Sequence, residues 1–334
     1  MKILLIRLMG LGDIAAILVP AVRIYKRMYP DASINVLTYQ AGEEIMRLHP
    51  DVDEVMSISS DDWPDDLFPA IESFMRLGEA ITRKHFNLII NLDTWFMPCF
   101  LSRALMDASL KVHGNFLKHP VEQFFVKVQD GAFDQDFFSK PGRYMSSTFS
   151  NMADWHRPWW NEYPDLSYPY FYLRHCCGFT DEISIKIPCT VDNQLKDEAD
   201  GRTIVAISAQ GRAEYKRYRH DALLKRLLEE KGYFCWDGFD GSIPMQTTLN
   251  RLYTSAILVT VPTSTQWLAR LAECPSLMLP GPMSPSLLGA EYSVQKQTDC
   301  QYCFHETSCP ENRDYKCMDI PADAVLAEVI AATN

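Results

Sequence analysis

Lys2-Ile-Leu-Leu-Ile-Arg-Leu-Met-Gly-Leu-Gly-Asp13 is the stretch of sequence that decides the fold. Residues 2–8 form an apolar run of strand length, as expected for a strand buried on both faces of a parallel sheet. From Asp13 the apolar residues recur at helical spacing as far as Pro30. The stretch therefore predicts a strand, a tight glycine turn and a helix whose free N–H groups can receive an anion.

Asp13 admits more than one interpretation. It can cap the helix, as acidic residues at this position often do, or it can be the carboxylate of a functional site. Gly10-Leu-Gly12-Asp-Ile-Ala15 also fits the dinucleotide fingerprint G-x-G-x-x-A, which would indicate an NAD enzyme. Two features disfavour NAD. The next predicted strand, residues 33–39, ends without an acid for the ribose, and Asp13 would repel a pyrophosphate.

Length and composition set the class of protein. A chain of 334 residues exceeds one ordinary domain and predicts two. Its 47% hydrophobic content supports a sizeable core, and its formal charge of −11 makes nucleic acid a less favoured partner. Because no apolar run reaches membrane-spanning length and the N-terminus lacks the pattern of a signal peptide, we expect a cytoplasmic protein. Peripheral attachment to the inner membrane stays open.

Strands and helices alternate in two blocks, which is the pattern of parallel, doubly wound α/β sheets. Helices are predicted over residues 41–48, 67–84, 98–106, 220–231 and 266–272. The predicted strands after the first are residues 33–39, 54–58, 86–92, 110–113, 203–208, 233–236, 257–261 and 276–279.

An aromatic-rich segment, residues 114–180, separates the two blocks. Such rings can form a platform on which a sugar or base stacks. They can equally be the core of irregular loops and a bridge between domains. The sequence leaves both interpretations open.

The residues quoted at the outset also carry a family resemblance. Together with Pro20-Ala-Val-Arg23 and residues 29–37, 50–55 and 86–93, they resemble the heptosyltransferases of glycosyltransferase family nine, which build the lipopolysaccharide inner core. The resemblance implies the GT-B architecture, in which two Rossmann-like doubly wound domains face a central cleft. Residues 1–180 would form the acceptor domain and residues 181–334 the nucleotide-sugar donor domain. Asp13 would be the general base.

The same resemblance assigns the donor side. Residues 208–218 resemble the family's phosphate loop, in which Lys216, helped by Arg212 and Arg217, would neutralise the departing diphosphate without a catalytic divalent metal. A solvated basic surface is the alternative for this cluster. Asp240 would hold the nucleoside, with Asp237 as a competitor. The candidate donor-binding residues are Gly12, Ser208, Arg212, Lys216, Arg217, Asp240, Thr263, Ser264 and Thr265.

One motif departs from the family. Heptosyltransferases carry Asp-Thr-Gly-x-x-His before a leucine-alanine helix, whereas this chain has Pro262-Thr-Ser-Thr-Gln-Trp267. The threonine is kept, but the acid, the glycine and the histidine are replaced. The departure predicts a donor sugar other than heptose, or a different nucleotide.

Four cysteines near the C-terminus form the sharpest local signal. Cys300, Cys303, Cys309 and Cys317 include one Cys-x-x-Cys pair, the spacing of a metal knuckle, and His305 is a substitute ligand. Four thiolates suit a structural zinc or iron ion, although reduced free thiols remain open. Family members that glycosylate autotransporter proteins also carry a four-cysteine, iron-binding finger, here residues 300–317.

The sequence thus predicts a glycosyltransferase that moves a sugar from a nucleotide-diphosphate donor to a hydroxyl acceptor, with inversion. The acceptor would be a saccharide, a lipid-linked saccharide or a protein; a hydroxylated nucleic-acid base is the less favoured alternative. A non-catalytic binding or assembly protein on a GT-B scaffold also stays open, because the sugar motif at residues 262–267 is altered.

Overall fold

A computed structural model describes residues 1–59, 67–156, 158–304, 309 and 314–334. The chain divides into two compact units. The first unit comprises Met1–Tyr163 and Pro169–Ser184, and the second comprises Pro164–Tyr168 and Ile185–Asn334. Each unit is built around its own sheet.

The first unit contains a six-stranded sheet. Its strands are β1 (Lys2–Ile6), β2 (Ser33–Tyr39), β3 (Glu54–Ile58), β4 (Leu88–Asn91), β5 (Val112–Leu117) and β6 (Met145–Ser147). They lie in the order β3-β2-β1-β4-β5-β6, and all pair in parallel except β6, which is antiparallel to β5. This is the strand order of the doubly wound dinucleotide-binding sheet. Successive strands are added on one side of β1 up to β3 and then on its other side from β4, so the strand order reverses between β1 and β4.

The helices of the first unit are α1 (Leu11–Asp13), α2 (Val19–Met28), α3 (Gln40–Arg47), α4 (Leu67–Arg83), α5 (Phe96–Asp107), α6 (Val121–Gln129), α7 (Gln135–Ser139), α8 (Pro141–Tyr144) and α9 (Trp159–Glu162). A further short helix, α10 (Tyr168–Tyr170), begins at the last residue of the segment that belongs to the second unit. A π-helical turn, Ile14–Leu18, joins α1 to α2, and all five of its residues are fully buried. A second π-helical turn follows α10 at Phe171–Cys176.

The second unit contains a five-stranded parallel sheet. Its strands are β7 (Ile204–Ser208), β8 (Phe234–Trp236), β9 (Ile257–Thr260), β10 (Ser276–Met278) and β11 (Tyr292–Ser293). Read from the β8 edge, the order is β8-β7-β9-β10-β11, so the strand order of this sheet reverses between β7 and β9. Its helices are α11 (Asn193–Ala199), α12 (Asp221–Glu230), α13 (Met245–Thr254), α14 (Ser264–Leu271), α15 (Pro285–Leu288) and α16 (Ala322–Thr333).

The structure confirms the two parallel α/β sheets, adds the short strands β6 and β11 to the predicted ones, and moves the start of β5. The sequence predicts a strand over residues 110–113, but β5 begins at Val112. Leu110 belongs instead to the turn that ends α5, because its N–H donates to the carbonyl of Leu105 and the preceding Ser109 has a left-handed φ of 65°. Among the described residues, none of the helices combines the length and the apolar character that a bilayer crossing requires.

The aromatic-rich segment forms core in the first unit. Phe124, Phe137 and Tyr144 are each less than 4% exposed, and their rings pack on Phe96 of α5. A second stack, with Trp159 and Phe171 at 4.2 Å and 7° between planes, lies in the same unit. The packing interpretation accounts for these buried rings.

Candidate active site

The candidate site of the first unit lies where its sheet reverses direction. Ile6 pairs with Asn91, and the N–H of Leu92 donates to the carbonyl of Ile6 at 3.0 Å, so the carboxyl ends of β1 and β4 stay together. Ligands of open α/β sheets bind at such a point. The chain places Arg7 and Asp13 after β1, and Asp93 after β4.

Arg7 is the centre of this cluster, with a side chain only 2% exposed. Its Nη2 donates to Oδ1 of Asp13 at 3.0 Å, and its Nη1 lies 3.5 Å from Oδ1 of Asp93. The carbonyl of Leu92 also accepts from Nη1, and the guanidinium carbon lies 5.0 Å from the ring centroid of Tyr172. A buried cation needs such compensation, because leaving it unpaired costs several kcal/mol.

Asp93 is the buried partner, with no exposed side-chain surface. Its Oδ2 accepts the N–H of Leu8, while its Oδ1 accepts no hydrogen bond within the described part of the chain. Burial raises the pKa of this carboxyl to about 7, although Arg7 and the Leu8 N–H act in the opposite direction. Asp93 therefore changes its charge near neutral pH.

Asp13 is the accessible partner, with a side chain 27% exposed. The capping interpretation is wrong. Gly10 occupies the cap position of α1 without a side-chain hydrogen bond, while Asp13 lies within the first turn and binds Arg7. Gly12 lies beside Asp13 in α1, and Gly10 has an ordinary φ of −65°, so the turn does not use the positive φ that glycine permits. The result is a carboxylate fixed at a strand end and reachable from solvent.

The second unit brings several candidate donor residues together where its own sheet reverses direction. Ser208, at the end of β7, donates from its hydroxyl to Oγ1 of Thr265 at 3.0 Å. Thr260, at the end of β9, donates to the carbonyl of Ser208. Thr263 precedes α14 and Ser264 begins it.

The loop after β7 closes on itself against this point. Gly211 donates its N–H to the carbonyl of Lys216 at 2.6 Å, and Arg217 donates to the carbonyls of Gly211 and Arg212. A Cβ on Gly211 would lie 2.5 Å from Cβ of Lys216 and 3.2 Å from Cγ2 of Thr263. The loop therefore needs glycine here to bring Lys216 close to Thr263.

Lys216 belongs to a 3₁₀ turn, Glu214–Lys216, and its Nζ lies 5.1 Å from the ring centroid of Tyr215. No helix begins beside Lys216 in this described loop, since α12 begins only at Asp221. An antiparallel bridge between Gln210 and Arg217 closes the loop before α12 begins. Lys216 thus contributes its own charge without an adjacent helix start.

Asp240 is not joined to this group by any described hydrogen bond. Its Oδ1 accepts the N–H and the hydroxyl of Ser242, which makes a local turn and lowers the pKa of the exposed carboxyl. Its competitor Asp237 forms an ion pair with Lys225 at 3.0 Å. The nucleoside role of either acid stays a prediction.

Trp267 shows what the altered motif does. It stands where the resembled family has histidine, but its side chain is buried and its ring lies 6.0 Å from that of Tyr168, edge to face. The position has therefore become part of the packing of the second unit.

The cysteine prediction gains no support from the described residues. Within residues 1–59, 67–156, 158–304, 309 and 314–334, no group of three or more His, Cys, Asp or Glu is placed to hold a metal ion. The thiols of Cys303, Cys300 and Cys309 do lie near enough to add to burial in raising the pKa of Cys317 to about 11. His305 lies outside the described residues.

No known family model and no curated protein matches the sequence. Solved structures do match over nearly the whole chain. A family 9 glycosyltransferase from Veillonella parvula superimposes with a TM-score of 0.68 at 13% identity, covering 99% of this chain and 97% of that one. The chain has the fold of family 9 glycosyltransferases.

Two Escherichia coli structures share this family 9 fold. ADP-heptose lipopolysaccharide heptosyltransferase II matches with a TM-score of 0.61 at 16% identity over 100% of this chain and 98% of that one. The iron-containing, dodecameric glycosyltransferase TibC matches with a TM-score of 0.57 at 13% identity over 99% and 75%. The resemblance first drawn from the N-terminal residues is thus confirmed for the fold.

Sequence reasoning missed four residues of these two sites: Arg7, Asp93, Tyr172 and Gly211. A usable signal existed for the first two. An arginine that ends an apolar strand needs an acid when it is buried, and Asp93 lies two residues after β4, the strand that pairs with β1. Tyr172 and Gly211 enter through contacts that no spacing in the sequence indicates.

Proposed function

We propose that this protein is a glycosyltransferase that uses a nucleotide-diphosphate sugar. The observation that carries the proposal is the partly exposed Asp13 carboxylate, held by buried Arg7 at the carboxyl end of β1 in a fold of family 9 type. The GT-B arrangement, with an acceptor domain and a donor domain about a cleft, is part of this proposal.

In the proposed reaction, Asp13 accepts the proton of the acceptor hydroxyl. The acceptor oxygen forms a bond to the anomeric carbon of the donor from the side opposite the diphosphate. The bond from that carbon to the diphosphate oxygen breaks, and its electron pair leaves with the diphosphate. One displacement inverts the anomeric configuration, and general-base help of this kind contributes about 10²–10⁴-fold to a rate.

The loop after β7 would receive the leaving group. Lys216, Arg212 and Arg217 provide positive charge, and the last two are exposed to solvent. Cations placed where negative charge develops stabilise the transition state. Ser208, Thr263, Ser264 and Thr265 add hydroxyl groups at the adjoining strand and helix ends. These contacts suit a diphosphate without a catalytic divalent metal.

The donor sugar is proposed to differ from heptose. The resembled motif has an acid, a glycine and a histidine where this chain has Pro262, Ser264 and a buried Trp267. The E. coli heptosyltransferase II is named for ADP-heptose, so ADP is the first nucleotide to test with this protein. A saccharide, a lipid-linked saccharide or a protein would be the acceptor.

Nucleotide binding is tested by thermal unfolding with ADP, UDP, GDP, CDP and NAD. A ligand at one hundred times its Kd stabilises a protein by about 2.7 kcal/mol, which raises the unfolding temperature measurably. A shift with one nucleoside diphosphate supports the proposal and selects the donor series. A shift with NAD alone contradicts the proposal, and so does the absence of a shift with every nucleoside diphosphate. In the second case a non-catalytic binding protein becomes the better account.

Catalysis is tested with Asp13→Asn and the matched control Asp181→Asn. Asp181 is also partly exposed, at 33%, and also pairs with an arginine, Arg27, in the same unit. We expect Asp13→Asn to lose about 10²–10⁴-fold in sugar transfer while the nucleotide shift persists, and Asp181→Asn to keep its activity. Equal activity in both variants would remove Asp13 from the mechanism.

The four-cysteine metal site remains a hypothesis based on spacing alone. Zinc or iron would be held by Cys300, Cys303, Cys309 and Cys317 in a structural role. Metal analysis of the purified protein and of Cys300→Ser tests it, with Cys189→Ser as a control. An equal metal content in the two variants, or none in the parent protein, contradicts the hypothesis.

A further inference from the structure

Arg7 serves two carboxylates at once. Its Nη2 binds Asp13 at 3.0 Å, and its Nη1 lies 3.5 Å from Asp93 on the opposite, fully buried side. One positive charge therefore stands between an accessible acid and an inaccessible one. The proposed reaction uses Asp13 and leaves the buried acid without a role.

We propose that Asp93 is a positioning residue that controls the charge of the Asp13–Arg7 pair and thereby the ability of Asp13 to accept the acceptor proton. This inference rests on the proposed function. When Asp93 is neutral, the full charge of Arg7 acts on Asp13. When Asp93 is ionised, two carboxylates share one guanidinium, so Arg7 compensates the charge of Asp13 less and Asp13 attracts the acceptor proton more strongly.

The geometry favours an electrostatic role over a purely mechanical one. Arg7 is also held by the carbonyl of Leu92 and by the ring of Tyr172. The phenol of Tyr172 donates to the same Leu92 carbonyl. These contacts do not depend on the charge of Asp93, so they keep the guanidinium in place in either state.

The groups that face Asp93 come from every element packed around it. They are Arg7 and the N–H of Leu8 after β1, Asp13 in α1, Tyr39 at the end of β2, Cys99 in α5 and Tyr172 in the second π-helical turn. Burial raises the pKa of Tyr39, Cys99 and Tyr172, so these three stay neutral at physiological pH. Asp93 differs from these three buried acids because its pKa is about 7, so it ionises in the neutral range.

The test is the pH dependence of kcat/KM for sugar transfer between pH 5.5 and 8.5. The parent enzyme should show a rise with a midpoint near 7, the pKa of Asp93. In Asp93→Asn this rise should be absent, and activity at pH 8 should fall about tenfold, the effect of one pKa unit of lost interaction. Asp93→Glu keeps the charge and should restore the rise, whereas Asp181→Asn should match the parent at every pH.

The outcomes separate the two proposals. A parent enzyme that transfers no sugar with any donor overturns the proposed function. An active parent without a rise near pH 7, or with the same rise in Asp93→Asn, overturns the role of Asp93 and leaves the transferase intact. If Asp93→Asn does not fold, the parent profile and Asp93→Glu decide, because neither removes the carboxylate.

Discussion

Replacing Asp93 by asparagine should change how the stability of the protein depends on pH. The pKa of this buried carboxyl is raised from 3.8 to about 7, so the folded state binds a proton over a pH range in which the unfolded state has released it. Stability due to this group is therefore lost as pH rises from about 4 to about 7. At about 1.4 kcal/mol per pKa unit, the loss amounts to about 4 kcal/mol.

An asparagine side chain cannot ionise, so the Asp93→Asn variant lacks this loss. The measured quantity is the difference in free energy of unfolding between parent and variant, from urea unfolding at pH 4 to 8. It should move by about 4 kcal/mol in favour of the variant, or about 8–16 °C in thermal unfolding for a unit of this size. Asp181→Asn, on the surface, is the control. A difference that stays constant across this range would refute the reasoning.

Two further substitutions probe the same sites. Arg7→Leu leaves buried Asp93 without its cation and should cost about 3–5 kcal/mol in unfolding free energy above pH 7, but less at pH 5, where that carboxyl is protonated; an equal cost at both pH values in urea unfolding would contradict this. Gly211→Ala places a Cβ 2.5 Å from Lys216, and overpacking of this kind costs about 1–3 kcal/mol. It should also weaken nucleoside diphosphate binding by calorimetry. Gly142→Ala, where a Cβ meets nothing within 4 Å, should change neither.

Much of the fold could be predicted from local sequence patterns. Residues 33–39 and 54–58 are predicted as strands with the bounds that β2 and β3 have, because both are short runs of strand-forming residues bounded by turn residues. The antiparallel β6 was missed because Met145–Ser147 is three residues long. It is a strand through its pairing with β5, a long-range contact that leaves no periodicity in the sequence.

The site residues also fall into those that a local motif indicates and those that depend on long-range contacts. Asp13 and Lys216 follow the first strand of each sheet, so position in a motif was enough to select them. The ion pair between Arg7 and Asp93 joins residues 86 positions apart in sequence, 93 against 7, and depends on β1 and β4 being neighbours. Asp240 is the opposite case. The family resemblance selected it, and in the structure its carboxylate accepts the N–H of Ser242 in a local turn.

The π-helical turn Ile14–Leu18 fixes the phase between Asp13 and the rest of the helix. A π turn amounts to one inserted residue in an α-helix, and one residue is worth about 100° of rotation. Asp13 can therefore face Arg7 while α2 presents its apolar side to the sheet. Deleting Ala15 or Ala16 would restore a regular helix, and the orientation of the carboxylate and the burial of α2 could then no longer be satisfied together.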